Sequence, residues 1–265
     1  MPLVTDAGRR VLRLDLEYDG AGFSGWAAQP GLRTVEGVLR EALGTLLRRP
    51  FELSVAGRTD AGVHASGQVA SVVTDGDLEP YRILRGLAAL LPPDLSARAV
   101  AHAAPGFDAR RDATSRRYEY RVLPGPPSAL RRARVLHHPA PLDADAMADA
   151  AGRVVGRHDF RAFTPTRTEH VFFHRTVTAC GWARRDDELV LSVEADAFLR
   201  HMVRVLAGTL LLVGRGALAA SRLDGLLCGA PRAAAGPTAP AHGLTLVGVA
   251  YDPSTPPGPH DPGPR

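Results

Sequence analysis

Between residues 57 and 64 the chain reads Gly-Arg-Thr-Asp-Ala-Gly-Val-His. Arg58, Thr59, Asp60 and His64 bring a guanidinium, a hydroxyl, a carboxylate and an imidazole within seven residues. An aspartate is ionised near neutrality, its reference pKa being about 3.9, so Asp60 can serve as a nucleophile or a base. A neighbouring arginine favours that ionised form. The same residue types also suit a plain connecting loop, in which Asp and Gly supply turn chemistry. Elsewhere His170 and His174 are four apart, a spacing that on a helix would let both face one metal. No third ligand accompanies them, and the Val-Phe-Phe between them is strand-like. Cys180 and Cys228 have no ligand-like spacing, so neither a cysteine zinc site nor a disulfide framework is expected.

The elements that must hold the 57–64 loop follow from periodicity. Leu12, Leu14, Leu16 and Tyr18 alternate with Arg13, Asp15 and Glu17, a half-buried strand. Thr34 is placed to cap a helix through Val35, Val38, Leu39, Ala42, Leu43, Leu46 and Leu47, which have helical spacing. Phe51, Leu53 and Val55 form a strand before the loop, and Val69, Val72 and Val73 one after it. Pro80 opens a helix through Ile83, Leu84, Leu87 and Leu91, which Pro92-Pro93 stops. A short strand follows at Leu95, Ala97 and Ala99.

The second half repeats this β-α-β-β-α-β order. It has a strand at Tyr118, Tyr120 and Val122, a helix from Leu142 to Val155, and two strands, Thr176 to Trp182 and Leu189 to Val193. A helix from Phe198 to Val213 and a last strand at Leu244, Leu246 and Val249 complete it. The expected fold is α+β: two ferredoxin-like halves, 1–105 and 106–251, joined in a continuous antiparallel sheet with a catalytic cleft between them. Six prolines in the last fourteen residues leave 252–265 nothing to bury, so this tail is expected to be disordered.

The chain of 265 residues is 45% apolar and 23% charged, with a net charge of +4, an ordinary soluble composition. The longest apolar run near its end, 205–213, is too short to span a bilayer. The N-terminal stretch lacks a secretory pattern, so a cytoplasmic location is expected. All 32 basic residues are arginine. Pairs such as Arg48-Arg49, Arg110-Arg111 and Arg116-Arg117 suit phosphate and raise a nucleic-acid partner.

Several motifs stand together. Tyr18-Asp19-Gly20, Phe23-Ser24-Gly25-Trp26 and Gln29-Pro30 precede Gly57 to Ala65 and Gly67-Gln68-Val69. Phe107 to Arg110, Arg116 to Tyr120, His158-Asp159-Phe160 with Phe163, Phe198 with His201 to Arg204, and Gly243-Leu244 follow in order. The set resembles the TruA-type tRNA pseudouridine synthase family over about residues 11 to 251. That resemblance implies isomerisation of uridine to pseudouridine at positions 38, 39 and 40 of the tRNA anticodon stem-loop, by a homodimer without a cofactor. It makes Asp60 the nucleophile, and Tyr118 the ring beneath the target base. Arg58 would occupy the space of an extruded uridine, Arg204 would pair with Asp60, and Leu244 would be an apolar pocket wall. Ala27 and Glu36 stand where the family usually has Gln, which bears on fine substrate contacts rather than on the reaction. A catalytically silent RNA-binding protein is the alternative, and the intact Asp60 argues against it. A metal-dependent hydrolase would need a ligand cluster.

Overall fold

The computed structural model describes residues 9–252. The chain divides into two compact units, Met1–Thr114 with Gly248–Arg265, and Ser115–Val247. Past Asp252, the proline-rich tail expected to be disordered lies outside the described residues.

The first unit contains β1 (Arg10–Tyr18), α1 (Val35–Leu47), β2 (Phe51–Val55), β3 (His64–Thr74), α2 (Pro80–Leu90) and β4 (Leu95–His102). Its strands run β4-β1-β3 with β2 on β3, all antiparallel, which is the ferredoxin-like order. Register is set by the apolar face: Leu14 lies opposite Ala70 on one side and Val100 on the other. Helix α1 begins at Thr34, whose hydroxyl accepts the Gly37 N–H, and ends where Arg48 turns left-handed at φ 52°. Helix α2 starts on Pro80 and buries Ile83 and Leu87.

Strand β1 differs from the half-buried expectation. Arg13 and Asp15 are only 8% and 9% exposed. A second apolar cluster covers their face: Val11, Ala56, Val69, Phe107 and Ala109, joined by Val249 and Tyr251. Arg13 pairs with Asp15 at 2.9 Å and lies 5.1 Å from the centre of the Tyr251 ring. The polar alternation therefore marks a buried ion pair, not a solvent face.

The second unit contains β5 (Ala113–Pro124) from Ser115 onward, β6 (Leu136–His138), α3 (Ala144–Gly152), β7 (Gly156–Asp159), β8 (His174–Arg185) and β9 (Glu188–Ala195). Helices α4 (Met202–Gly214) and α5 (Arg222–Leu226) and strand β10 (Leu244–Tyr251) complete it. Its order is β10-β5-β9-β8-β7, with β6 parallel to β5. The first four repeat the ferredoxin-like order, and β7 extends the edge beyond β8. Residues 244–247 of β10 count with this unit and 248–251 with the first. Helix α4 starts four residues later than its apolar stripe suggests. His201 sits before it in the left-handed region at φ 61°, which an α-helix cannot include.

Candidate active site

The Gly57–Val63 loop connects β2 to β3 and is held from two sides. From the sheet, the Tyr18 hydroxyl lies 2.8 Å from Thr59 Oγ1. Gln68, fully buried on β3, donates from Nε2 to the Tyr18 oxygen at 3.2 Å and to the Gly57 carbonyl at 2.7 Å. Burial pushes the Tyr18 phenol up to about 12, against the lowering effect of its bonds to Thr59 and Gln68. It therefore stays a neutral hydrogen-bonding group.

From the other side comes the segment 19–34. The Trp26 N–H donates to the Thr59 carbonyl at 3.0 Å, and the Gly62 N–H to the Phe23 carbonyl at 3.3 Å. Gly25 sits at φ +94°, a backbone conformation that L side chains rarely adopt, and a Cβ there would crowd the Thr59 carbonyl oxygen at 3.0 Å. His64 is buried, and its Nδ1 accepts the Gly20 N–H at 3.0 Å and lies 3.1 Å from Asp19 Oδ1. Its imidazole thus buttresses the loop. The segment is itself clamped, because Arg33 grips Asp94 with two bonds of 2.7 and 2.8 Å and lies 4.1 Å from the centre of the Phe23 ring. The Arg33 hydrogen bond holds the Asp94 carboxyl below its ordinary range. At the substituted position 36, the Glu36 carboxylate accepts the Ala28 N–H at 3.1 Å and Arg40 Nε at 2.8 Å. Its charge is thereby matched locally. Ala27, the other departure, is half-buried.

Asp60 is half-buried and Arg58 exposed at the end of this framework. Its backbone is fixed too, as the Asp60 carbonyl accepts the Val63 N–H at 3.1 Å. Such a site can present a carboxylate with little motion of its own backbone.

The other sequence-derived residues belong to the second unit. Tyr118, 7% exposed, lies on β5 opposite Val193 and meets the Phe198 ring edge-on at 5.1 Å and 86°. Arg204 lies in the first turn of α4 and donates from Nε to the Ala239 carbonyl at 2.8 Å. Leu244 is buried at the start of β10. His170 and His174 do not share a helix. His170 Nε2 accepts the Arg200 N–H at 3.4 Å, and His174 begins β8 with its ring 5.4 Å from that of Phe172. Among the described residues no three or more His, Cys, Asp or Glu gather as metal ligands, and no helix is long and apolar enough to cross a membrane.

Sequence reasoning had no role for Tyr18 and Gln68 under the loop, nor for Phe198 beside Tyr118. All three stood inside quoted motifs. Their partners lie far off in the chain, so spacing alone carried no signal of the contact.

A family model described as tRNA pseudouridine synthase matches residues 16–110 and 150–252. This chain belongs to that family. The tRNA pseudouridine synthase model takes in Arg58, Asp60, Arg204 and Leu244, while Tyr118 falls between its two matched segments. A curated relative named tRNA pseudouridine synthase A from Frankia casuarinae is 48% identical over 246 residues, covering 91% of this chain and 89% of its own. One of the same name from Chloroflexus aurantiacus is 43% identical over 252 residues, covering 92% and 90%. Another, from Streptomyces avermitilis, is 45% identical over 250 residues, covering 91% and 87%. As a pseudouridine synthase the chain is an isomerase acting on tRNA.

Proposed function

We propose that this synthase converts uridine to pseudouridine at positions 38, 39 and 40 of the tRNA anticodon stem-loop, with Asp60 as nucleophile. The carrying observation is the bracing of the Asp60 loop from β1 and β3 on one side and from segment 19–34 on the other. A half-buried carboxylate on a fixed backbone is what a nucleophile needs to meet one atom of a bound nucleotide. Attack at ribose C1′ or at base C6 both serve the reaction. In each, the N1–C1′ bond breaks, the uracil turns while held, and C5 bonds to C1′. On the C1′ route Asp60 is displaced as C5 bonds to C1′, and the C5 proton is lost afterwards. On the C6 route Asp60 is expelled as the C5 proton leaves. On both, N1 ends with a proton. Atoms and electrons balance within the nucleotide, so the reading calls for no cofactor.

The other roles follow the substrate. A stem nucleotide must leave its helix before it can react, and the exposed Arg58 is assigned to the space it vacates. Tyr118 offers its ring to the extruded base, Arg204 its charge, and Leu244 an apolar wall. The synthase is proposed to work as a cytoplasmic homodimer. The test is Asp60→Asn assayed on unmodified tRNA, with pseudouridine mapped base by base. The variant should bind tRNA within about twofold of the parent, since no phosphate contact changes, and yield no pseudouridine. Product from the variant removes Asp60 as nucleophile. Parent product outside the three positions removes the proposed specificity.

A further inference from the structure

The segment 229–243 is rich in Gly, Ala and Pro, and by composition it is a loop. Three of its residues, Gly236, Pro237 and Ala239, nevertheless lie directly against α4. The Ala239 N–H donates to the Arg204 carbonyl at 3.0 Å, while the Ala239 carbonyl accepts Arg204 Nε at 2.8 Å. One turn further on, a side chain at Gly208 would overlap the Pro237 carbonyl. Next to it, the Thr209 hydroxyl donates to the Val205 carbonyl at 2.7 Å and accepts the Gly236 N–H at 3.0 Å. A Cβ on Gly236 would lie 2.7 Å from Thr209 Cα. Two glycines thus allow a backbone-to-backbone approach that no other residue permits.

The far end of this segment is pinned from the sheet. The buried Tyr120 hydroxyl donates to the Pro240 carbonyl at 2.9 Å. Gly243 makes room for that ring, since a Cβ there would lie 2.8 Å from Tyr120 Cζ. Burial lifts the Tyr120 phenol well above its ordinary value, while the Arg204 charge pulls it back. Tyr120 and Tyr118 lie two apart on β5, so they project from the same face of the strand.

We propose that residues 236–240, pinned by Tyr120, form a strap that fixes the orientation of the Arg204 guanidinium for the isomerisation. A free arginine side chain samples many rotamers. One whose Nε is held by a carbonyl that is itself tied down keeps its planar fork in a single attitude. Tyr120 is then a positioning residue, acting through Pro240 and Ala239 without touching substrate. The inference rests on the reading that Arg204 acts at the reacting uridine.

The experiment measures single-turnover isomerisation and tRNA affinity for the parent, Tyr120→Phe, Arg204→Lys and the double variant. Tyr120→Phe deletes one oxygen and should slow isomerisation about tenfold, the scale of one hydrogen bond, with tRNA affinity within about twofold. Lysine has no Nε to be held. In the Arg204→Lys background, Tyr120→Phe should therefore slow the reaction by less than about twofold. Unchanged turnover in Tyr120→Phe overturns the strap, as does equal slowing in both backgrounds. Should Arg204→Lys turn over too slowly to compare, the Arg204 Nε–H resonance, assigned by its loss in that variant, decides. It should exchange slowly in the parent and faster in Tyr120→Phe, and equal exchange overturns the proposal. Parental turnover in Arg204→Lys would instead remove Arg204 from the chemistry, a failure of the underlying reading.

Discussion

Replacing Tyr18 by Phe tests whether the catalytic loop is braced from beneath. The substitution keeps the ring, which packs against Phe23 and Trp26 at 6.4 and 6.1 Å between ring centres, and deletes the hydroxyl. Two buried groups then lose a partner: the Thr59 hydroxyl, and the Gln68 Nε2–H that had donated to Tyr18, although Gln68 keeps its bond to the Gly57 carbonyl. Stranding a buried polar group costs roughly 1–3 kcal/mol, and Tyr18→Phe should lose that much in urea denaturation near pH 8. The difference should then shrink in alkali. Because the folded-state pKa of Tyr18 is raised to about 12, the unfolded chain releases this proton first, near pH 10. The stability contributed by Tyr18 is therefore whole below pH 10 and lost as pH rises towards the folded value. At about 1.4 kcal/mol for each unit, the Tyr-over-Phe advantage should fall by about that amount between pH 9 and pH 11. Parent and variant denaturation curves at the two pH values measure it. A loss below about 0.5 kcal/mol at pH 8, or a difference that stays level up to pH 11, would refute the bracing.

Three further outcomes are expected. Thr34→Ala should cost about 1 kcal/mol by leaving the Gly37 N–H uncapped, whereas Thr34→Ser should restore most of it in the same denaturation assay. Asp94→Asn should cost up to about 1 kcal/mol at pH 7, the pair with Arg33 being partly exposed. The folded-state pKa of Asp94 is lowered, so this contribution is present above its unfolded value near 3.8 and lost as pH falls below it. Parent and variant melting curves should accordingly converge in acid. Affinity for tRNA should fall steeply with salt, by roughly 0.7–0.9 counterions for each phosphate contact, and a flat plot of log affinity against log salt would contradict phosphate recognition by arginine.

Much of the architecture is legible in the sequence because it rests on local rules. Thr34 before an apolar stripe marks the start of α1, Pro80 marks that of α2, and Pro92-Pro93 marks the stop. The ferredoxin-like order follows from two runs of the same alternation. What escapes is set by contacts distant in sequence. The delayed start of α4 depends on one left-handed residue, His201. Strands β6 and β7 span three and four residues, too few to show a period. Arg13 and Asp15 look like a solvent face until Phe107 and Tyr251 cover them. At the candidate site, the density of functional groups around Asp60 is visible in one line of sequence. The Tyr18–Thr59 bond is not, because its partners stand 41 residues apart.

Strand β10 has a consequence for the order of synthesis. The cluster of Val11, Ala56, Val69, Phe107 and Ala109 is closed by Val249 and Tyr251, and the Tyr251 hydroxyl donates to the Ala109 carbonyl at 2.8 Å. Everything else in the first unit leaves the ribosome by Thr114, while its closing residues start at Gly248. Roughly 130 residues intervene, which at about 5–20 residues per second is about 7–26 s. Throughout that interval the nascent first unit carries its loop and helices, but with one apolar face uncovered. A chain stopped just short of Gly248 would keep Asp60 and still offer that sticky face to its neighbours, so a nonsense mutation in the last few codons of the folded region should be read out as aggregation before it is read out as lost chemistry.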